Sequence, residues 1–279
     1  MTTIGQFNTL EVLSENHHGF YLDGGSTYGA ILLPGNRAPK DLRLGQSISV
    51  FLYMDSEDRL VATTEKPFAT INQFAALEVV ALHGNHGAFL NWGLIKDLLL
   101  PYKEQSQPVS VGDTVVVRVL FDERSDRIIA TSKIHSYLST EPPPYETSEE
   151  VDAIVISRTP LGFNAIINNN HLGLFYHTNL SIPLKIGQTT KAYIRTIRPD
   201  GKIDLSLDRT DKGRIHSIID DILIALKENN GFIPFDDYSD PEKIRETFNT
   251  SKKAFKKALS TLYKERQVEF PKSGGTQKI

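Results

Sequence analysis

The sequence predicts a mainly β protein with a C-terminal α+β domain: three tandem five-stranded barrels, then three helices and a β-hairpin. Three observations carry that expectation. Residues 4–13 (IGQFNTLEVL) recur at 71–80 (INQFAALEVV), an offset of 67. A diverged third copy follows at an offset of 75 from the second, with Gly162 falling on Gly87, Gly187 on Gly112 and Lys202 on Arg127. After Asp208 the hydrophobic period changes from that of short strands to that of helices.

The first two copies match along their length. HGFYLD from His18 pairs with HGAFLN from His86, and ILLP from Ile31 with LLLP from Leu98. LRLGQ ending at Gln46 pairs with VSVGD ending at Asp113, and DRLVATT from Asp58 with DRIIATS from Asp126. The third copy supplies LGFNAII, LGLFYH, LKIGQ and GKIDLSL. A period of roughly 70 residues is too long for a solenoid, so each copy is expected to be its own domain. The boundaries read as 1–66, 67–139 and 147–208, with the proline-rich segment Thr140–Ser148 (TEPPPYETS) as a stiff linker.

Within the second copy, Leu77–Leu82, Gly87–Asn91, Asp97–Pro101, Thr114–Phe121 and Arg127–Thr131 are short apolar or β-branched runs separated by turn formers. Five short strands in about 65 residues cannot bury both faces as an open sheet, and closure removes the exposed edges. That arrangement is the OB-fold.

Residues 209–279 read as the fourth domain. Ile215, Ile218, Ile219, Ile222, Leu223 and Leu226 lie on one helical face, punctuated by Gly231. Asp240-Pro241 opens a short second helix, where proline is tolerated in the first turn. Ser251 is a good N-cap for a third, with Ala254, Phe255, Ala258, Leu259, Leu262 and Tyr263 as its apolar stripe. Gln267–Phe270, Pro271–Gly275 and the tail read as a hairpin. Three helices followed by a hairpin is the order of a winged helix.

Composition sets the outer limits. The 279 residues contain no cysteine, which excludes disulfides and thiol chemistry and fits a reducing cytoplasm. No apolar run approaches the roughly 18 residues of a membrane span, and the start, MTTIGQFNTL, has no basic-then-apolar leader. The chain is therefore expected in the cytoplasm and off the membrane; a monomer is a separate expectation that composition does not decide. The net charge of −3 hides a gradient. Residues 249–279 hold eight Lys/Arg against Glu265 and Glu269, a local +6, which leaves the remainder at −9. A concentrated basic face still attracts phosphates, because screening limits distant charge to roughly 10 Å.

Catalytic chemistry finds no foothold in the sequence. GxxxxGK[ST], HExxH and GxSxG are all absent. His83-x-x-His86 and His17-His18 lack cysteine or acidic ligands beside them, so neither metal nor cofactor is expected. Asp122-Glu123, Glu149-Glu150 and Asp220-Asp221 have no partners to tune them. A non-enzyme is the expectation.

The barrel pattern resembles the ribosomal-protein S-one type RNA-binding domain, whose mark is an aromatic–Gly–x–aromatic strand, a Gly-Leu-x-His-like strand and a turn with a basic residue. Those positions read His18-Gly19-Phe20-Tyr21, His86-Gly87-Ala88-Phe89 and Leu161-Gly162-Phe163-Asn164, with Arg59, Arg127 and Lys202 in the turns. The histidine strand stands only in the third copy, Gly173-Leu174-Phe175-Tyr176-His177; the others carry ILLP and LLLP. Two close barrels, a diverged third and a winged helix carrying SKKAFKKALSTLYKE resemble the conserved virulence factor B family. That resemblance implies a bacterial RNA-binding regulator of gene expression.

Single-stranded RNA is bound by exposed rings that stack on bases, with cations nearby. The second and third strands of such a barrel form the usual binding face. A glycine at a bulge would let the residues around it point outward together, giving His18 with Tyr21 and His86 with Phe89. In the third copy Leu161 and Asn164 hold those places, and Phe163, Tyr176 and His177 are candidate substitutes. Lys252, Lys253, Lys256, Lys257 and Lys264 are the candidate nucleic-acid contacts of the winged helix. The expected function is low-specificity binding of single-stranded RNA, summed over several weak barrels, in post-transcriptional or virulence gene regulation. Two alternatives stay open: a DNA-binding transcriptional regulator acting through the winged helix on duplex, and an adaptor docking a protein such as a ribonuclease or the ribosome.

Overall fold

Each copy of the repeat closes into a five-stranded barrel, and all three barrels share one strand order. The computed structural model describes residues 2–180, 183–208, 211–248 and 250–279, with side chains throughout except at 211–217. It divides into two units, Met1–Tyr137 and Leu138–Ile279.

The first barrel comprises β1 (Phe7–Asn16), β2 (Gly19–Asp23), a single helical turn α1 (Gly25–Tyr28), β3 (Ala30–Pro34), β4 (Ser47–Met54) and β5 (Leu60–Thr63). The second comprises β6 (Phe74–His83), β7 (Gly87–Leu90), β8 (Leu98–Pro101), β9 (Thr114–Asp122) and β10 (Arg127–Thr131). The third, in the other unit, comprises β11 (Glu150–Arg158), β12 (Gly162–Ile167), β13 (His171–Tyr176), β14 (Thr189–Ile197) and β15 (Ile203–Ser206). Around each barrel the strands run first, second, third, fifth, fourth, with the third and fifth parallel.

The repeated glycines have repeated physical reasons. Gly45, Gly112 and Gly187 all take positive φ (77°, 90° and 83°), and each N–H donates to a first-strand carbonyl, that of Val12, Val79 or Val155. At those residues the first strand slips register against the second, between Val12 and Ser14, Val79 and Ala81, and Val155 and Ser157. The bulge therefore lies on the first strand, not at the second-strand glycine as expected. That second glycine is forced by close approach instead. A Cβ on Gly19, Gly87 or Gly162 would meet the third-strand carbonyl of Leu33, Leu100 or Phe175 at 2.2, 2.2 or 1.7 Å.

Barrels one and two are fused through a buried seam. Val50 and Leu52 of β4 face the first barrel's own core. Phe51 and Tyr53 on the opposite face join the core of the second, where the Phe51 ring meets Trp92 edge-on at 5.5 Å. Trp92 Nε1 donates to the Ala69 carbonyl at 2.8 Å, which satisfies the one polar atom of that buried ring. A strand buried on both faces reads as the continuous apolar run VFLY, without alternation.

The C-terminal domain holds α2 (Asp211–Glu228), β16 (Phe232–Ile233), α3 (Pro241–Phe248), α4 (Lys252–Lys264), β17 (Val268–Glu269) and β18 (Thr276–Lys278). Ile218, Ile219, Ile222 and Leu226 of α2 pack with Ile244, Phe255 and Leu259; the side chain of Ile215 lies outside the described residues. Ser251 caps α4, its side chain accepting from Ala254 N at 3.3 Å. The hairpin gains a third strand, β16, beside β18. Tyr263, expected in the buried stripe, is 56% exposed; its ring stacks on Phe270 at 5.4 Å on the outer face. No helix among the described residues is long and apolar enough to cross a membrane.

Candidate nucleic-acid interface

Strand alternation decides which rings are available. One residue after the forced glycine, Phe20, Ala88 and Phe163 point into the barrels. Two residues after it, Tyr21, Phe89 and Asn164 are half-exposed on the outer face. Phe163 is thus removed from the candidate contacts: it is 4% exposed, a core residue whose ring meets His177 edge-on at 5.2 Å. His177 is turned back to its own barrel, its Nε2 donating to the Thr159 carbonyl at 3.2 Å.

In the second barrel the structure brings His86, Phe89 and Arg127 around one cavity of about 220 Å³. Two unforeseen residues share it. Asp58, from the turn between β4 and β5, makes an ion pair with Arg127, and Lys96 lies 3.7 Å from the same carboxylate. Lys96 Nζ also donates to the Asp55 carbonyl at 2.6 Å. Burial holds the Lys96 ammonium below its usual pKa despite Asp58, and burial raises that of the neighbouring Asp97 carboxyl. The His83 and His86 rings lie 4.5 Å apart with Phe89 edge-on to His83, and no metal-ligand group of three forms among the described residues.

The first barrel carries exposed His18 beside His17, ring centroids 3.8 Å apart, and half-exposed Tyr21. Arg59 is held in its own turn: Nε and Nη2 donate to Asp55 Oδ2 at 2.9 and 2.7 Å, and Nη1 lies 2.9 Å from Glu57. Burial pushes the Asp55 pKa up, but the Arg59 and Glu57 N–H groups and the guanidinium outweigh it and leave the carboxyl below the usual range. Each basic turn residue follows a residue of positive φ, Asp58 (56°), Asp126 (52°) or Gly201 (79°).

In the third barrel Asn164, Tyr176 and Lys202 line one cavity of about 1110 Å³, together with exposed Leu161. Lys202 Nζ donates to Asp200 Oδ2 at 2.8 Å and keeps that carboxyl below its usual pKa. Arg198, which the sequence reading missed, sits over the Tyr176 ring at 5.6 Å, donates to its hydroxyl and pairs with Asp204 at 3.1 Å. Its place in the same RPDGK turn as Lys202 was the available signal.

On α4, Lys253, Lys256, Lys257 and Lys264 are exposed and Lys252 is half-exposed. Lys253, Lys257 and Lys264 fall on one arc opposite Phe255, Ala258, Leu259 and Leu262, while Lys252 and Lys256 lie at the edge of that buried face. Lys256 pairs with Asp237 at 2.9 Å.

Residues 4–65 match the S1 domain family, and residues 220–276 match the CvfB-like winged helix domain. The resemblance to the conserved virulence factor B family holds. Both matched domains are nucleic-acid-binding types, and neither is an enzyme type. Along the chain, identity is 28% over 272 residues to the uncharacterized protein YitL of Bacillus subtilis, covering 95% of this chain and 90% of that one. It is 26% over 250 residues to Conserved virulence factor B of Staphylococcus saprophyticus, covering 85% and 82%. A solved multidomain protein with nucleic acid binding domains from Streptococcus pneumoniae aligns over 99% of this chain and 98% of its own, at 23% identity and TM-score 0.46.

Proposed function

We propose that this protein is a cytoplasmic, non-enzymatic binder of single-stranded RNA that acts as a single chain with low sequence specificity in post-transcriptional gene regulation. The observation that carries the reading is the outward residue two places after the forced glycine. Tyr21 and Phe89 hold it in two barrels, and Asn164 beside Tyr176 holds it in the third. A ring there offers a base a face to stack on, worth about 1–3 kcal/mol. Cations at the neighbouring turns of the first two barrels supply the salt-dependent part. Each barrel is a weak site, and several on one chain add through effective concentration.

Filter binding of single-stranded RNA at two salt concentrations tests this. Micromolar or tighter binding in low salt that weakens steeply as salt rises is expected; no binding at micromolar protein overturns it. The lysine arc of α4 favours a second reading, a DNA-binding regulator that lays this helix against duplex phosphates. Competition between duplex DNA and single-stranded RNA separates the two, and preferential displacement by duplex would favour the second.

A further inference from the structure

The large cavity of the third barrel has a wall the barrel does not supply. The proline-rich segment before β11 is tied to the barrel at both ends. Ser139 N donates to the Asn170 carbonyl at 2.9 Å, and Tyr145 Oη lies 3.0 Å from His171 Nδ1. Between these ties Pro142 and Pro143 line the cavity, as do Leu172, Leu174 and Ile203 of the barrel. Fixed ends and consecutive prolines keep the segment extended, so the wall stands before any ligand arrives and little ordering entropy is lost on binding.

The charge of the lining excludes one class of occupant. Glu141, Asp200 and Asp204 outnumber Arg198 and Lys202, and both cations are already paired with the last two carboxylates. Such a lining repels a phosphate. It suits a flat, uncharged group with polar edges, whose faces meet proline and leucine and whose edge meets the Asn164 amide. His171, also in the lining, is 4% exposed, and its Nε2 is buried without a partner among the described residues. With about 1110 Å³ the space exceeds the upper end of ordinary small-ligand pockets, roughly 1,000 Å³.

We propose that the proline-rich segment and the outer face of the third barrel form a slot for unpaired nucleobases, which holds bases between its walls and leaves phosphates in solvent. This rests on the RNA-binding reading and adds that the third barrel contributes base contacts while phosphate contacts come from elsewhere on the chain. A base-paired strand has no free base to insert, so the slot selects against duplex.

The test uses the full chain and an eight-nucleotide oligouridylate, titrated at several salt concentrations. The variants are Pro142→Gly with Pro143→Gly, and separately Asn164→Ala, which removes a half-buried side chain outside the core. Each variant is expected to bind about tenfold more weakly, the size of one lost base contact, with an unchanged slope of log affinity against log salt. If the double segment variant fails to fold, Pro143→Gly alone decides, since Asn164 belongs to the barrel's own face. Unaltered affinity overturns the slot and leaves the RNA reading standing. A shallower salt slope overturns it as well, since it would mean that phosphates had been lost. A natural chain that fails to bind the oligomer overturns both.

Discussion

Asp58, in the last turn of the first barrel, forms an ion pair with Arg127, which opens the last strand of the second. In the repeat Asp58 corresponds to Asp126 and Arg127 to Arg59, so one turn has acquired the task of contacting its own copy. A carboxylate therefore sits on the cation that a phosphate would use. Both side chains are about half exposed, at 49% and 50%, so the pair is worth at most about 1 kcal/mol. Asp58→Asn should leave stability within about 1 kcal/mol and free Arg127. Affinity for single-stranded RNA should rise a few-fold in low salt, with a salt slope steeper by about one. Titration at two salt concentrations checks this. An unchanged slope would mean that Arg127 meets no phosphate.

Tyr21 and Phe89 occupy equivalent outward positions, and neither belongs to a buried core. Replacing both with alanine should cost about 1–3 kcal/mol of RNA binding per lost stack and less than about 1 kcal/mol of stability. Thermal melts alongside binding separate these effects. A double variant that melts far below the natural chain would mark the rings as structural.

The forced glycine gives the opposite expectation. At Gly87 φ is 141° and an added Cβ would stand 2.2 Å from the Leu100 carbonyl oxygen, an atom fixed in the β7–β8 ladder. Gly87→Ala should therefore destabilise the second barrel by about 2–3 kcal/mol or more, as strained backbone substitutions do. Tyr21 and Phe89 variants should keep the melting temperature that this variant loses.

The repeat made the barrels legible because its landmarks are backbone constraints. Gly45, Gly112 and Gly187 recur since each must donate to the bulged strand at positive φ, and such needs survive divergence of the side chains. The helical stripe and the Ser251 cap were legible for the same local reason. Contacts between distant segments left no periodic trace. Asp58 with Arg127, Trp92 against Phe51 and Tyr145 with His171 each depend on how one element docks on another. Phe163 was offered as a substitute because neither Leu161 nor Asn164 is aromatic; strand alternation beside the outward Asn164 turns that ring inward.

Asp236 ties the loop before α3 to the wing. Its Oδ2 accepts from Gly275 N at 3.0 Å, and Oδ1 accepts from Tyr238 N at 2.8 Å and Ser239 Oγ at 3.2 Å. The Gly275 and Tyr238 N–H groups outweigh desolvation and hold the carboxyl below its usual 3.8. A carboxylate with a depressed pKa in the folded state stabilises it fully above the unfolded value, and that contribution fades as pH falls below about 4. Asp236→Ala should cost about 1–3 kcal/mol at pH 7, since three donors lose a charged acceptor. The gap between variant and natural chain should narrow as pH drops through that window. Apart from the single turn α1, the α-helices among the described residues all lie in this domain, the barrels otherwise holding only 3-10 turns of three or four residues, so far-ultraviolet circular dichroism during urea unfolding reports mainly on it. A gap of the same size at pH 7 and at pH 3 would mean that the carboxylate's charge plays no part in holding the wing.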